Sequence, residues 1–288
     1  MGMLRRGRHG DGAVAPSRER PRLPAHVAYV HWGFEQPLAK LEWDLTVLED
    51  PGTASGEYMA LFNGAIDGAA FYLGLQTDVS RPPTGEGAGK GLIFSTWWTF
   101  DEADTDVAPG GFREMGTHEG RFVGVRQIYP WGLGDYRVTL ARREVGTSEA
   151  RVAGWDWFDL SVMPLVPAAR RDERPLPGGE STWCGGLRFR RRRSEVPARV
   201  EPGGLMFAEL YSRVATWGSV PAWHLDVMAY GDGAPCPAGR TEYPAFPFGQ
   251  RMPNVSAWYD EGRRRVRVEM SGVERRAPTG PWRLAGPC

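Results

Sequence analysis

At 288 residues, 41% of them apolar, the chain has the length to bury a large core without metals or disulfides, in one large β-sandwich or two smaller modules. Its 35 basic and 35 acidic side chains cancel, so no global field draws it onto nucleic acid, and no apolar run is long enough to span a bilayer. Neither nucleic acid nor a membrane is an expected partner. The three cysteines, Cys184, Cys236 and Cys288, are odd in number and lack any C-x-x-C spacing, which excludes a disulfide framework and a cysteine-built zinc site. A single Cys184–Cys236 bridge stays open.

Residues 1–24 carry six arginines and no apolar stretch of signal-peptide type, and read as a disordered arm. Cytoplasmic residence is the default expectation, with secretion the alternative if the start codon is mis-called. The first clear periodicity comes at Ala39, Leu41, Trp43, Leu45 and Val47, apolar at odd positions, with Lys40, Glu42, Asp44 and Thr46 between them. That period of two predicts a strand with one wet face. Short candidate strands follow at Tyr58–Phe62, Ala70–Val79, Leu92–Phe100, Phe122–Tyr129, Tyr136–Arg143 and Trp155–Met163. After a break come Leu187–Arg191, Leu205–Val214, Trp223–Tyr230, Val255–Tyr259 and Arg264–Met270. Such spacing, punctuated by glycine and proline, predicts an all-β fold, an antiparallel sandwich of jelly-roll type.

The intervening segments divide by chemistry. Gly85, Gly87, Lys90 and Gly91 superficially suggest a phosphate loop, but a strand follows where a helix N-terminus is needed, so a hairpin with a mobile tip is expected. Adjacent Trp97 and Trp98 cannot both face inward on a regular strand, which puts one of them on an outer face or in a cleft. Asp101, Glu102, Asp104 and Asp106 form an acidic loop without the pattern of a calcium site. Gly110 to Gly120 holds Arg113, Glu114, His118 and Glu119 in what reads as a glycine-rich turn, where a carboxylate beside an imidazole can do acid–base work. Pro164 to Ser181 is rich in proline, glycine and charge and marks a crossover. The organisation expected is therefore an arm at 1–24, a β module at 25–166, a linker at 167–180, and a second module or a continuation of the same sandwich at 181–288. Arg188 and Arg190 to Arg193 read as a charged edge strand. Tyr259 to Arg263 reads as a hairpin turn in which Gly262 supplies a positive φ.

The five histidines, His9, His26, His31, His118 and His224, show no ligand spacing, and no metal is assigned. No cofactor is indicated, and the oligomeric state is open. Twelve tryptophans exceed what the core alone explains, so some are expected to stack on a ligand.

The block Tyr72-Leu-Gly-Leu-Gln76, Phe94-Ser-Thr-Trp97, Gly116 with Glu119-Gly120, Gln127-Ile-Tyr-Pro-Trp131 and Tyr136 resembles the bacterial domain-of-unknown-function family numbered 3472, over about residues 26 to 165. The resemblance implies a β-rich fold of a kind often found beside carbohydrate-active or secreted modules. It carries over no catalytic residue. The family's Glu-Gly pair is followed by a small polar residue and glycine, whereas Arg121 and Phe122 stand here.

The function expected is binding of a glycan or another small polar ligand in a Trp-lined cleft. Trp97 or Trp98, Tyr129 and Trp131 would stack, while Arg113, Glu119 and Gln127 would orient. The alternatives are an acid–base enzyme, a lyase, cyclase or glycan hydrolase, using Glu114, His118 and Glu119, and a structural or interaction protein.

Overall fold

The computed structural model describes residues 25–53, 56–81, 86–117, 120–144, 154–166, 174–211, 219–242, 255–270 and 280–283. They form two antiparallel sheets packed face to face, with one 3-10 turn at Glu102–Asp104. No helix among them is long and apolar enough to cross a membrane.

From edge to edge, the first sheet runs Gly280–Arg283, Ala238–Glu242, Ala25–Gly33, Gly203–Leu210, Glu57–Ile66, Ala69–Gln76, Gly91–Thr96, Phe122–Ile128 and Phe112–Gly116. The second runs Val255–Asp260, Arg265–Met270, Trp223–Gly231, Lys40–Glu49, Gly134–Arg142, Trp155–Val166, Thr182–Arg190 and Thr105–Asp106. Both sheets draw strands from before residue 166 and after residue 181, so the two stretches interleave.

Alternation fills the space between the sheets. Leu41, Trp43, Leu45 and Val47 point inward from the second sheet, as their period predicts, and meet Phe62, Phe71 and Phe94 from the first. Phe189, also from the second sheet, reaches across to Phe71 at 6.1 Å and Phe94 at 6.2 Å between ring centroids. Each such side chain contributes about 1.5–3 kcal/mol by leaving water, and edge-on ring pairs add about 0.5–1.5 kcal/mol more.

Several local expectations are corrected. The Gly110–Gly120 segment is more than a turn, because Phe112–Gly116 pairs with Phe122–Ile128 and forms the edge of the first sheet. In the hairpin after Asp260, the positive φ falls on Arg264, at 54°, rather than on Gly262. Thr182–Arg190 is not an edge strand, since the Thr105–Asp106 strand pairs outside it. The expected wet face of Lys40–Glu49 is dry at its centre, for reasons given below. Cys184 and Cys236 are both buried free thiols, so the bridge between them is absent. Burial pushes their pKa values up to about 12 and about 11, which leaves them protonated and inert near neutrality. In the hairpin after Val79, Ser80–Arg81 pairs with Glu86–Gly87, and its tip lies outside the described residues.

Candidate functional site

The outer face of the first sheet is where reactive chemistry gathers. On Phe122–Ile128, Val125 faces the main core, so Gly124 and Arg126 face outward. Cross-strand register sets Glu114, Gly124, Ser95 and Tyr72 in one row over four strands. Glycine is needed in that row: a Cβ on Gly124 would stand 2.1 Å from Ser95 Oγ. The gap it leaves admits the Arg126 guanidinium from the neighbouring row. Arg126 Nη1 donates to Ser95 Oγ at 2.8 Å, and Nη2 pairs with Glu114 Oε2. Burial works against the arginine's charge, but Tyr72 and the Glu114 carboxylate outweigh it and raise the pKa above the ordinary guanidinium value.

This ion pair sits in apolar company. Tyr58, Tyr72, Ile93 and Phe207 form a small cluster outside the main core, with Trp97 and Phe112 packed against it. Tyr72 lies 4.7 Å from Trp97 between ring centroids and 6.1 Å from Tyr58. Arg126 is only 5% exposed, whereas the Glu114 side chain is 25% exposed. Glu114 Oε2 is held by Arg126, and no contact engages Oε1 among the described residues.

The structure therefore brings Trp97 and Glu114 together through Tyr72 and Arg126. Neither Trp97 nor Trp98 enters the main core, because both lie past the end of their strand, in a bend where alternation lapses. Trp97 packs on Tyr72, and Trp98, 47% exposed, presents its indole to solvent.

Other expected site residues lie elsewhere. Arg113 and Gln127 alternate with Glu114 and Arg126 and so take the opposite face. Arg113 donates to Thr105 Oγ1 and, at 2.7 Å, to Glu102 Oε2, tying the edges of the two sheets together. Gln127 Nε2 donates to the Ile128 carbonyl at 3.3 Å, and its Oε1 is buried. Tyr129 packs against the main core, edge-on to Tyr136. Trp131, 1% exposed, offers no free face and is corrected from stacking platform to core: it stacks on Trp223 at 5.2 Å, with Lys90 Nζ 4.3 Å from its ring centroid and bonded to Asp50. His118 and Glu119 lie outside the described residues. The acidic loop is occupied structurally: Asp104 pairs with Arg188, Asp106 with Arg143, Glu102 with Arg113, and Asp101 caps Ala103.

The outer face of the second sheet is built differently. Asp44, 0% exposed, is gripped by Arg137 (2.6 and 3.0 Å) and by Arg174 (2.8 and 3.2 Å), and Arg174 also reaches Glu42 at 3.1 Å and lies 3.8 Å over the Tyr230 ring. Farther along, Arg143 lies over Trp157 and Trp183, and Arg188 over Trp155 and Trp157, giving a ladder of alternating indoles and guanidiniums. With arginines against their rings, these tryptophans have less free surface for a ligand than Trp98.

Sequence reasoning missed Arg126, Ser95 and Tyr72. The available signal was an arginine directly after the apolar stretch Phe122-Val-Gly-Val125 of the same strand. Among the described residues, no group of three or more His, Cys, Asp or Glu side chains could hold a metal ion.

Comparison with protein-family models finds no match, and comparison with curated proteins finds none either. Among solved structures, the chain is similar to SCP-B, a member of the Eqolisin family of peptidases, in a complex with the tripeptide Ala-Ile-His. The TM-score is 0.38 at 10% identity, covering 86% of this chain and 98% of that one.

Proposed function

We propose that the chain is a binding module for a glycan or similar small polar ligand with an apolar face, seated at the margin of the first sheet where Trp97 is joined to Glu114 through Tyr72 and Arg126 and where Trp98, the next residue, is exposed. One observation carries this reading: an arginine–carboxylate pair is set among aromatic side chains at the outer face. Desolvating two charges generally wins no more stability than apolar packing of the same volume. A costly pair joined through Tyr72 to Trp97, at a margin where the next residue is an exposed indole, is better explained by recognition than by folding. The indole offers a stacking surface, and the partly exposed Glu114 carboxylate offers an acceptor to ligand hydroxyls.

The acid–base alternative draws less support. Glu114 is committed to Arg126, and the nearby carboxylates at 101–106 are committed to arginines or to a backbone cap.

Tryptophan fluorescence titration against a panel of neutral oligosaccharides tests the reading. Trp98→Ala is expected to abolish binding while stability changes by less than about 0.5 kcal/mol, as for an exposed side chain. Unchanged affinity in that variant would place the ligand elsewhere, and a panel without any hit would overturn the proposal.

A further inference from the structure

We infer that this site selects against anionic ligands and takes glycans that are neutral or amine-bearing, with Glu114 as the residue that sets the specificity. The inference rests on the binding reading above. It follows from how the ion pair is divided between protein and solvent. The cation is inside: Arg126 donates to Ser95 Oγ, pairs with Glu114, is bonded to Tyr72, and is almost inaccessible. The anion lies toward the outside, its side chain 25% exposed against 5% for the arginine's.

A carboxylate salt-bridged to a guanidinium presents acceptors to a ligand. It rewards ligand hydroxyl and ammonium groups and repels carboxylates and sulfates. Of the basic groups at this edge of the sheet, Arg81 lies 5.2 Å over the Phe112 ring and Arg121 lies 4.5 Å over the Phe100 ring. Repulsion of this kind is a common route to specificity, because it acts on the wrong ligand without strengthening the right one.

The pair also predicts how specificity can be inverted. Glu114→Gln keeps the shape of the side chain but removes its charge, which leaves the Arg126 guanidinium without a counter-ion in apolar surroundings. An anionic sugar would then be drawn in to supply one.

The test is calorimetric titration of the full chain with tetramers of glucose, glucosamine and galacturonic acid at low and moderate salt. The wild type is expected to bind the first two at least roughly tenfold more tightly than the uronate, a gap of about 1.4 kcal/mol. Salt should weaken the glucosamine tetramer and leave the glucose tetramer nearly unaffected. In Glu114→Gln, the uronate should become the preferred ligand. Preferential binding of the uronate by the wild type would overturn this inference and leave the binding reading standing, whereas failure of all three tetramers would overturn the reading itself. If Glu114→Gln does not fold, the salt dependence of the wild type decides: equal salt slopes for the glucose and glucosamine tetramers would overturn the role of Glu114.

Discussion

The two outer faces of the sandwich solve one problem in opposite ways. Both carry outward-pointing side chains on long strands, and both take charges out of water. The second sheet does it with many partners, arranging Asp44, Glu42, Asp226, Arg137, Arg174 and Arg267 so that each carboxylate meets a guanidinium. The first sheet sets Arg126 and Glu114 against a background of tyrosine, phenylalanine and tryptophan, far from the Glu242 carboxylate that His31 and Arg240 share near its other edge. A lattice in which Asp44 is held by two arginines and Arg174 by two carboxylates is a cover for a sheet. A pair with a partly exposed carboxylate, joined through Tyr72 to Trp97, is the feature on which the proposed binding site rests.

Substitutions can break that contrast. The largest effect is expected at Asp44, where alanine would leave two guanidiniums without their carboxylate and cost about 3–5 kcal/mol, read by denaturant unfolding. A smaller loss follows at Trp157, which contacts two arginines: Trp157→Leu should cost about 1–2 kcal/mol from the two cation–π contacts, with an unchanged unfolding slope.

Acid should also distinguish the faces. Burial alone would raise the pKa of Glu42, but the hydrogen bond from Lys40 and the charge of Arg174 hold it below its ordinary 4.5. A carboxylate with a depressed folded pKa stabilises above its unfolded value and loses that contribution as pH falls through the folded one. Glu42→Gln should therefore lower the melting temperature at pH 7, and the difference from wild type should vanish at the acid end of a titration carried below pH 4.5. A difference that persists unchanged into acid would mean that Glu42 acts through shape alone.

The smallest expected change in stability is on the first sheet. Replacing both members of its pair, Arg126→Met with Glu114→Leu, should leave stability unchanged or raised while binding is lost. A large destabilisation would reduce the pair to another piece of scaffold and remove the contrast.

The fold was legible because alternation is local. Leu41, Trp43, Leu45 and Val47 declare their inward face within seven residues, and the structure places all four in the core. The outward face was not legible for the same reason. Glu42 and Asp44 read as solvated, yet the arginine that covers them stands at position 174, about 130 residues along the chain. Phe112–Gly116 was hidden by its glycine-rich flanks, although Phe112 and Glu114 share one face as a strand requires. The candidate site was partly visible, since Glu114 and Trp97 stood out by residue type. Arg126, which joins them, lay in a run whose apolar character masked its outward position, and only the register of neighbouring strands shows what it meets.

The scarcity of lysine has a practical sequel. The chain has two, Lys40 and Lys90, and Lys90 is enclosed by Trp131 and Asp50. Lys40 is half-buried, pairs with Glu42 and projects from the outer face of the second sheet. Among lysine side chains, an acylating reagent therefore finds one attachment point, on the side away from the Glu114 margin. A sensor surface coupled through that amine would hold every copy in the same orientation, with the first sheet turned toward the solution.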